Sequence, residues 1–74
     1  MKREWLIEKR NSLGLTQQQV ADNSGIERAY YTMIERGLRT PSVTASKAIA
    51  TTLNFEWTYF FEEKGNASKQ VKVN

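Results

Sequence analysis

The sequence predicts an all-α domain of five short helices. Three observations lead there. At 74 residues the chain holds one small domain with no room for a second core. Between its one proline and four glycines the apolar spacing is three and four residues, the helical period, rather than alternating. Thr16-Gln17-Gln18-Gln19 has the form of a capping box, a sequence mark of a helix start.

The first helix is expected from about Lys2 to Leu13, with Leu6, Arg10 and Leu13 on one face and Gly14 ending it. The second is expected from Thr16 to about Ser24. Thr16 and Gln19 would each satisfy an orphan amide of the other, Val20 and Ala21 would face inward, and Gly25 would stop the helix. The third is expected from Glu27 to Arg36, with Tyr31 and Ile34 inward beside Ile26. Pro41 breaks the chain after it, since a residue before proline avoids the helical region. Ser42 is a good N-cap for the fourth helix, which would bury Val43, Ile49, Ala50 and Leu53 and close at Asn54. The fifth, from about Trp57 to Glu63, is short and aromatic. A domain this small needs large side chains, so Phe55, Trp57, Phe60 and Phe61 are expected in the core, with Tyr59 exposed. The domain is set at residues 1–63, followed by a polar tail over 64–74 with no helical stripe.

Composition excludes much chemistry. There is no cysteine and no histidine, hence no disulfide, no thiolate nucleophile, no imidazole metal ligand and no Ser-His-Asp triad. No glycine-rich phosphate loop is present, and the carboxylates of Asp22, Glu27 and Glu35 read as capping, solvated and ion-pair groups. The expectation is no enzyme, no cofactor, no metal and no small-molecule ligand. No apolar run approaches the ~20 residues that cross a bilayer, so no membrane partner is expected, and the location expected is cytoplasmic. The aromatics gather in helix five rather than on a strand-borne platform, which argues against RNA.

The second and third helices carry the functional signal. They are joined by Asn23-Ser24-Gly25-Ile26, the short glycine turn of a helix-turn-helix. The outer face of the third shows Arg28, Ala29, Thr32, Met33 and Arg36. That mixture suits the major groove: a guanidinium pairs with guanine O6 and N7, and small or apolar groups touch the thymine methyl. The plainer alternative is a solvated cationic face.

The chain resembles the phage repressor and Cro type of helix-turn-helix domain, the bacterial family often called XRE, whose fold is lambda-repressor-like. Four stretches carry the resemblance: Arg10 with Leu13-Gly14-Leu15-Thr16-Gln17; Val20-Ala21 with Gly25-Ile26; Met33-Ile34-Glu35-Arg36-Gly37; and Arg39-Thr40-Pro41-Ser42-Val43 leading to Ile49-Ala50 and Leu53. It covers roughly residues 3 to 62. It implies a DNA-binding set of Thr16, Gln17, Glu27, Arg28, Ala29, Thr32, Met33, Arg36, Arg39 and Thr40. Gln17 would contact a phosphate and brace the recognition helix. Arg28, Ala29, Thr32 and Met33 would face base edges. Arg39 and Thr40 would approach the backbone or the minor groove. Arg10 and Glu35 would form an ion pair tying helix one to helix three. Glu27 departs from the usual Ser or Thr cap, and Tyr31 stands where the family prefers a smaller aliphatic residue, so its hydroxyl needs a partner.

The function expected is sequence-specific regulation of transcription on double-stranded DNA, as a repressor of bacterial or phage origin. Net charge is +3, spread as +2 over residues 1–40, −2 over 41–63 and +3 over 64–74. Such spreading keeps the ionic affinity of one copy modest, and a homodimer on a palindromic operator is the remedy. Trp57, Tyr59, Glu62 and Glu63 are the candidate dimer contact. The alternatives are an antitoxin or other partner-controlled module, with the lysine-bearing tail as its docking segment, and a restriction-modification controller protein.

Overall fold

The computed structural model describes residues 2–62, and over these the chain is helical with no strand. Helices α1 (Glu4–Ser12), α2 (Gln17–Ser24), α3 (Arg28–Glu35) and α4 (Val43–Leu53) are followed by a 3₁₀ segment, Trp57–Phe61. Met1, Glu63 and the tail assigned to 64–74 lie outside the described residues.

Each start and stop has a local cause. α1 begins two residues later than expected because Arg3 is held outside it: the Arg3 amide donates to the Glu35 carbonyl at 2.7 Å. α2 opens on both halves of the capping box. The Gln19 amide donates to Thr16 Oγ1 at 3.0 Å, and the Thr16 amide donates to Gln19 Oε1 at 2.9 Å. It closes at Gly25, φ +69°, a conformation that costs an L side chain energy and glycine nothing. Ser42 Oγ accepts from the Ala45 amide at 3.1 Å to start α4, and Asn54 at φ +62° ends it.

The core is one cluster, Leu6, Val20, Ala21, Tyr31, Ile34, Ile49, Leu53 and Phe60, with Trp5, Leu15, Ile26, Tyr30 and Phe55 packed around it. Helix α2 lies against both α3 and α4, so the two helices of the helix-turn-helix share their apolar faces with the rest of the domain.

Four expectations are corrected. The fifth helix is a single 3₁₀ segment ending at Phe61. Its bonds span three residues, Tyr59 amide to Glu56 carbonyl and Glu62 amide to Tyr59 carbonyl, as suits a run of aromatics and β-branched Thr58 that pack poorly on an α-helix. Leu13 follows the last helical residue, falls off the buried stripe and is exposed, while Leu15 packs against the core instead. Val43, the first residue of α4, is exposed; Ala45, Ser46, Ile49, Ala50 and Leu53 form the buried stripe of α4. Phe61 is 47% exposed, beside Trp57, whereas Phe60 alone of that segment is fully inserted. Tyr59 is exposed as expected, with its ring edge-on to Trp5 at 4.6 Å.

Candidate nucleic-acid interface

With Tyr31, Ile34 and Glu35 turned into the core, the helical period turns Arg28, Ala29, Thr32, Met33 and Arg36 to the opposite side. Arg28, Ala29 and Arg36 are exposed, and Thr32 and Met33 are half-buried. Arg36 sits just past the last helical residue, in helical geometry. Thr16 is exposed and Gln17 half-buried at the amino end of α2, and Arg39 and Thr40 are exposed in the loop after α3. Glu27 occupies the N-cap position of α3 with extended backbone, but its side chain makes no capping bond. The carboxylate is exposed, and capping is not its role here.

A polar network ties three helices together. Arg10 Nε donates to Glu35 Oε2 at 2.6 Å and Arg10 Nη2 to Glu35 Oε1 at 3.2 Å, a forked pair. Arg10 Nη1 donates to the Leu15 carbonyl at 3.0 Å, pinning the α1–α2 turn. The pair is well shielded, with side-chain exposures of 14% for Arg10 and 2% for Glu35. Gln17 Nε2 donates to Glu35 Oε1 at 2.8 Å, and Thr32 Oγ1 donates to Gln17 Oε1 at 3.0 Å. Gln17 is therefore held at both ends of its amide by α3.

The electrostatics follow from that geometry. Burial alone would raise the Glu35 carboxyl, but hydrogen bonding to Arg10 leads the opposing effects, and the net result lies below the usual carboxylate value. The same bond holds the Arg10 guanidinium charged more firmly than usual. Tyr31 is pushed far upward, first by burial and then by the neighbouring carboxylate. Its hydroxyl feels Glu35 electrostatically but, among the described residues, reaches no partner in sound hydrogen-bond geometry.

Arg3 was not singled out by the sequence, yet it braces this surface. Its Nη1 donates to the Ile34 carbonyl at 2.6 Å and to the Arg39 carbonyl at 3.1 Å, from a buried position. It thereby anchors the carboxyl end of α3 and the following loop. No spacing rule connects residue 3 with residues 34 and 39, so only the fold reveals it. The Arg39 guanidinium lies 5.3 Å from the Tyr30 ring centroid, and the Tyr30 hydroxyl accepts from the Ser42 amide at 3.1 Å. Tyr30 is thus a bracket between α3, the loop and the start of α4.

Of the candidate dimer residues, Trp57 is half-buried under the Lys47 ammonium at 5.1 Å, and Tyr59 and Glu62 are exposed. Glu63 lies outside the described residues. Tyr59 borders a groove of about 460 Å³ shared with Trp5, Glu8, Lys9, Phe55 and Glu56. Among the described residues no helix is long and apolar enough to cross a membrane.

The chain and its fold have known relatives. The helix-turn-helix family model matches residues 6–60. The chain is 52% identical over 69 residues to the uncharacterized HTH-type transcriptional regulator YqaF of Bacillus subtilis, covering 93% of this chain and 91% of the relative. The crystal structure of the restriction-modification controller protein C.AhdI from Aeromonas hydrophila is 38% identical with a TM-score of 0.68, over 76% of this chain and 85% of that one. The N-terminal DNA-binding domain of SinR from Bacillus subtilis shares the fold, with a TM-score of 0.73 at 24% identity over 82% of this chain and 90% of that one.

Proposed function

Because the chain belongs to the helix-turn-helix family, as the match over residues 6–60 and the 52% identical relative show, we propose a specific way in which it reads its operator. It is a DNA-binding regulator of transcription. In our reading, α3 enters the major groove with Arg28, Ala29, Thr32 and Met33 toward base edges, and Arg36 toward the groove wall. The amino end of α2 meets a phosphate: its first amides have no partner within the helix, and Gln17 Nε2 keeps one hydrogen beyond the bond to Glu35. Thr16 Oγ1 accepts from Gln19 and so retains its own proton for the same phosphate. Arg39 and Thr40 follow the backbone alongside, and Glu27, free of capping duty, faces a cytosine amino group or orients Arg28.

The observation that carries this reading is the fixation of Gln17 between Glu35 and Thr32. The phosphate-facing end of α2 and the base-facing side of α3 are one rigid unit, so anchoring the first sets the register of the second. Charge spread along the chain keeps the affinity of one copy low, which supports action as a homodimer on a palindromic site with recognition helices about 34 Å apart. Trp57, Tyr59 and Glu62 form the proposed contact between copies, and repression of a bacterial or phage promoter in the cytoplasm is the proposed outcome. The likeness to C.AhdI favours a second reading of the same chemistry, control of a restriction-modification system.

The test compares specific and non-specific duplexes by fluorescence anisotropy. Arg28→Ala is expected to weaken the specific complex more than the non-specific one, and Gln17→Ala to weaken both. Equal losses on every sequence for Arg28→Ala would remove Arg28 from base reading.

A further inference from the structure

The hydrogen-bond polarity of the network reaches the base-facing surface. The Glu35 carboxylate is ionised and accepts only, so the Gln17 atom 2.8 Å from it must be the amide nitrogen. That fixes which way the Gln17 amide is turned, and its oxygen then faces Thr32 Oγ1 at 3.0 Å. An amide oxygen has no proton to give, so Thr32 must donate. A hydroxyl has one proton, and in Thr32 it is committed inward.

We propose that Thr32 is a specificity-determining residue whose hydroxyl reads only an exocyclic amino group, adenine N6 or cytosine N4, because Gln17 holds its proton. This rests on the reading that α3 enters the major groove. The remaining lone pairs of Thr32 Oγ1 accept and cannot donate. A phosphate oxygen, guanine O6 or N7 and thymine O4 all lack a proton and are refused at this position. Thr32 lies four residues from Arg28 and four from Arg36, along one stripe of the exposed side of α3. The two arginines only donate. Toward the bases, Arg28 and Thr32 therefore present donor then acceptor, matched by a base acceptor and then an amine, while Arg36 donates to the groove wall. Arg10, Glu35 and Gln17 act as positioning residues for this pattern without touching a base at Thr32.

The full 74-residue chain is used with a duplex carrying its selected site. Each adenine in a half-site is replaced in turn by purine, which lacks the 6-amino group, and each cytosine by 2-pyrimidinone, which lacks the 4-amino group. At one half-site position the loss of the amine is expected to weaken wild-type binding about tenfold, a single-contact penalty. Thr32→Val, which keeps the shape without the hydroxyl, is expected to reduce that penalty below about twofold. Thr32→Ser is expected to keep it. Gln17→Met frees the Thr32 proton: every duplex binds more weakly, but the ratio between amine and amine-free duplexes falls toward one. A merely structural Gln17 would leave that ratio unchanged. If selection yields a site but no analogue penalty depends on residue 32, Thr32 is not the reader and base reading by α3 stands. If the penalty depends on residue 32 but Gln17→Met keeps the full ratio, Gln17 does not set the polarity of Thr32 and the proposal is overturned. If selection yields no preferred sequence, base reading itself fails and the inference falls with it.

Discussion

At the scale of single residues the domain turns on Glu35. Its carboxylate is almost fully buried, takes a forked bond from Arg10 and a third bond from Gln17, and so serves the fold and the proposed recognition surface together. Removing one partner of such a pair leaves the other charge poorly solvated, which costs roughly 3–5 kcal/mol. Glu35→Ala is therefore expected to lose most of the stability of a domain this size in urea unfolding. Replacing both members, Arg10→Met with Glu35→Leu, is expected to restore folding while weakening DNA binding, since Gln17 then loses its anchor. A wild-type urea midpoint in Glu35→Ala would show that the pair is worth no more than a surface contact. The pH dependence has a definite sign. The Glu35 carboxyl titrates lower when folded than its ordinary value of 4.5, so its contribution is complete above about that pH and is lost as pH falls through the lower folded value. Unfolding midpoints of the wild type are expected to fall as pH is lowered from 5 toward 2, the acid end of the carboxylate range.

At the scale of elements, α2 is the piece whose chemistry the sequence states most fully. The Thr16-to-Gln19 capping box and the left-handed Gly25 are both present. Thr16→Ala is expected to cost about 1 kcal/mol. Gly25→Ala is expected to cost about 1–2 kcal/mol, although an added Cβ there meets no atom within 4 Å, because the positive φ alone is unfavourable. A Gly25→Ala variant as stable as the wild type in thermal unfolding would mean that the turn has relaxed. Caps and glycines are local, which is why α2, α3 and α4 could be placed within a residue or two from sequence. The aromatic segment was less legible. Helical period alone does not distinguish α from 3₁₀ over five residues, and Phe60 and Phe61 look alike until the packing of Trp5 decides which one enters. Val43 and Leu13 show the same limit: a stripe identifies a face, but whether its end is covered depends on where neighbouring helices stop.

At the scale of the whole molecule, the proposed recognition surface could be read from sequence as residue types and not as a network. Arg10 with Glu35, and Gln17 beside the turn, followed from the family pattern. The bonds of Gln17 to Thr32 and of Arg3 to the carbonyls of Ile34 and Arg39 join residues far apart in the chain, and no local rule contains them. The face is only modestly cationic, which makes assembly a quantitative matter. Sedimentation across micromolar concentrations is expected to show a monomer–dimer equilibrium shifted toward the dimer by operator DNA. Tyr59→Glu is expected to weaken that dimer, and with it specific binding, at a cost of about 1 kcal/mol in stability from the lost edge contact with Trp5. The central claim is that α3 reads base edges as one of a symmetric pair. Selection of bound duplexes from a random library, at about 150 mM salt to suppress purely ionic binding, tests it most directly. The account predicts an enriched palindrome with half-sites about one helical turn apart, and loss of that enrichment with Arg28→Ala. Recovery of no preferred sequence by the wild-type protein would contradict it.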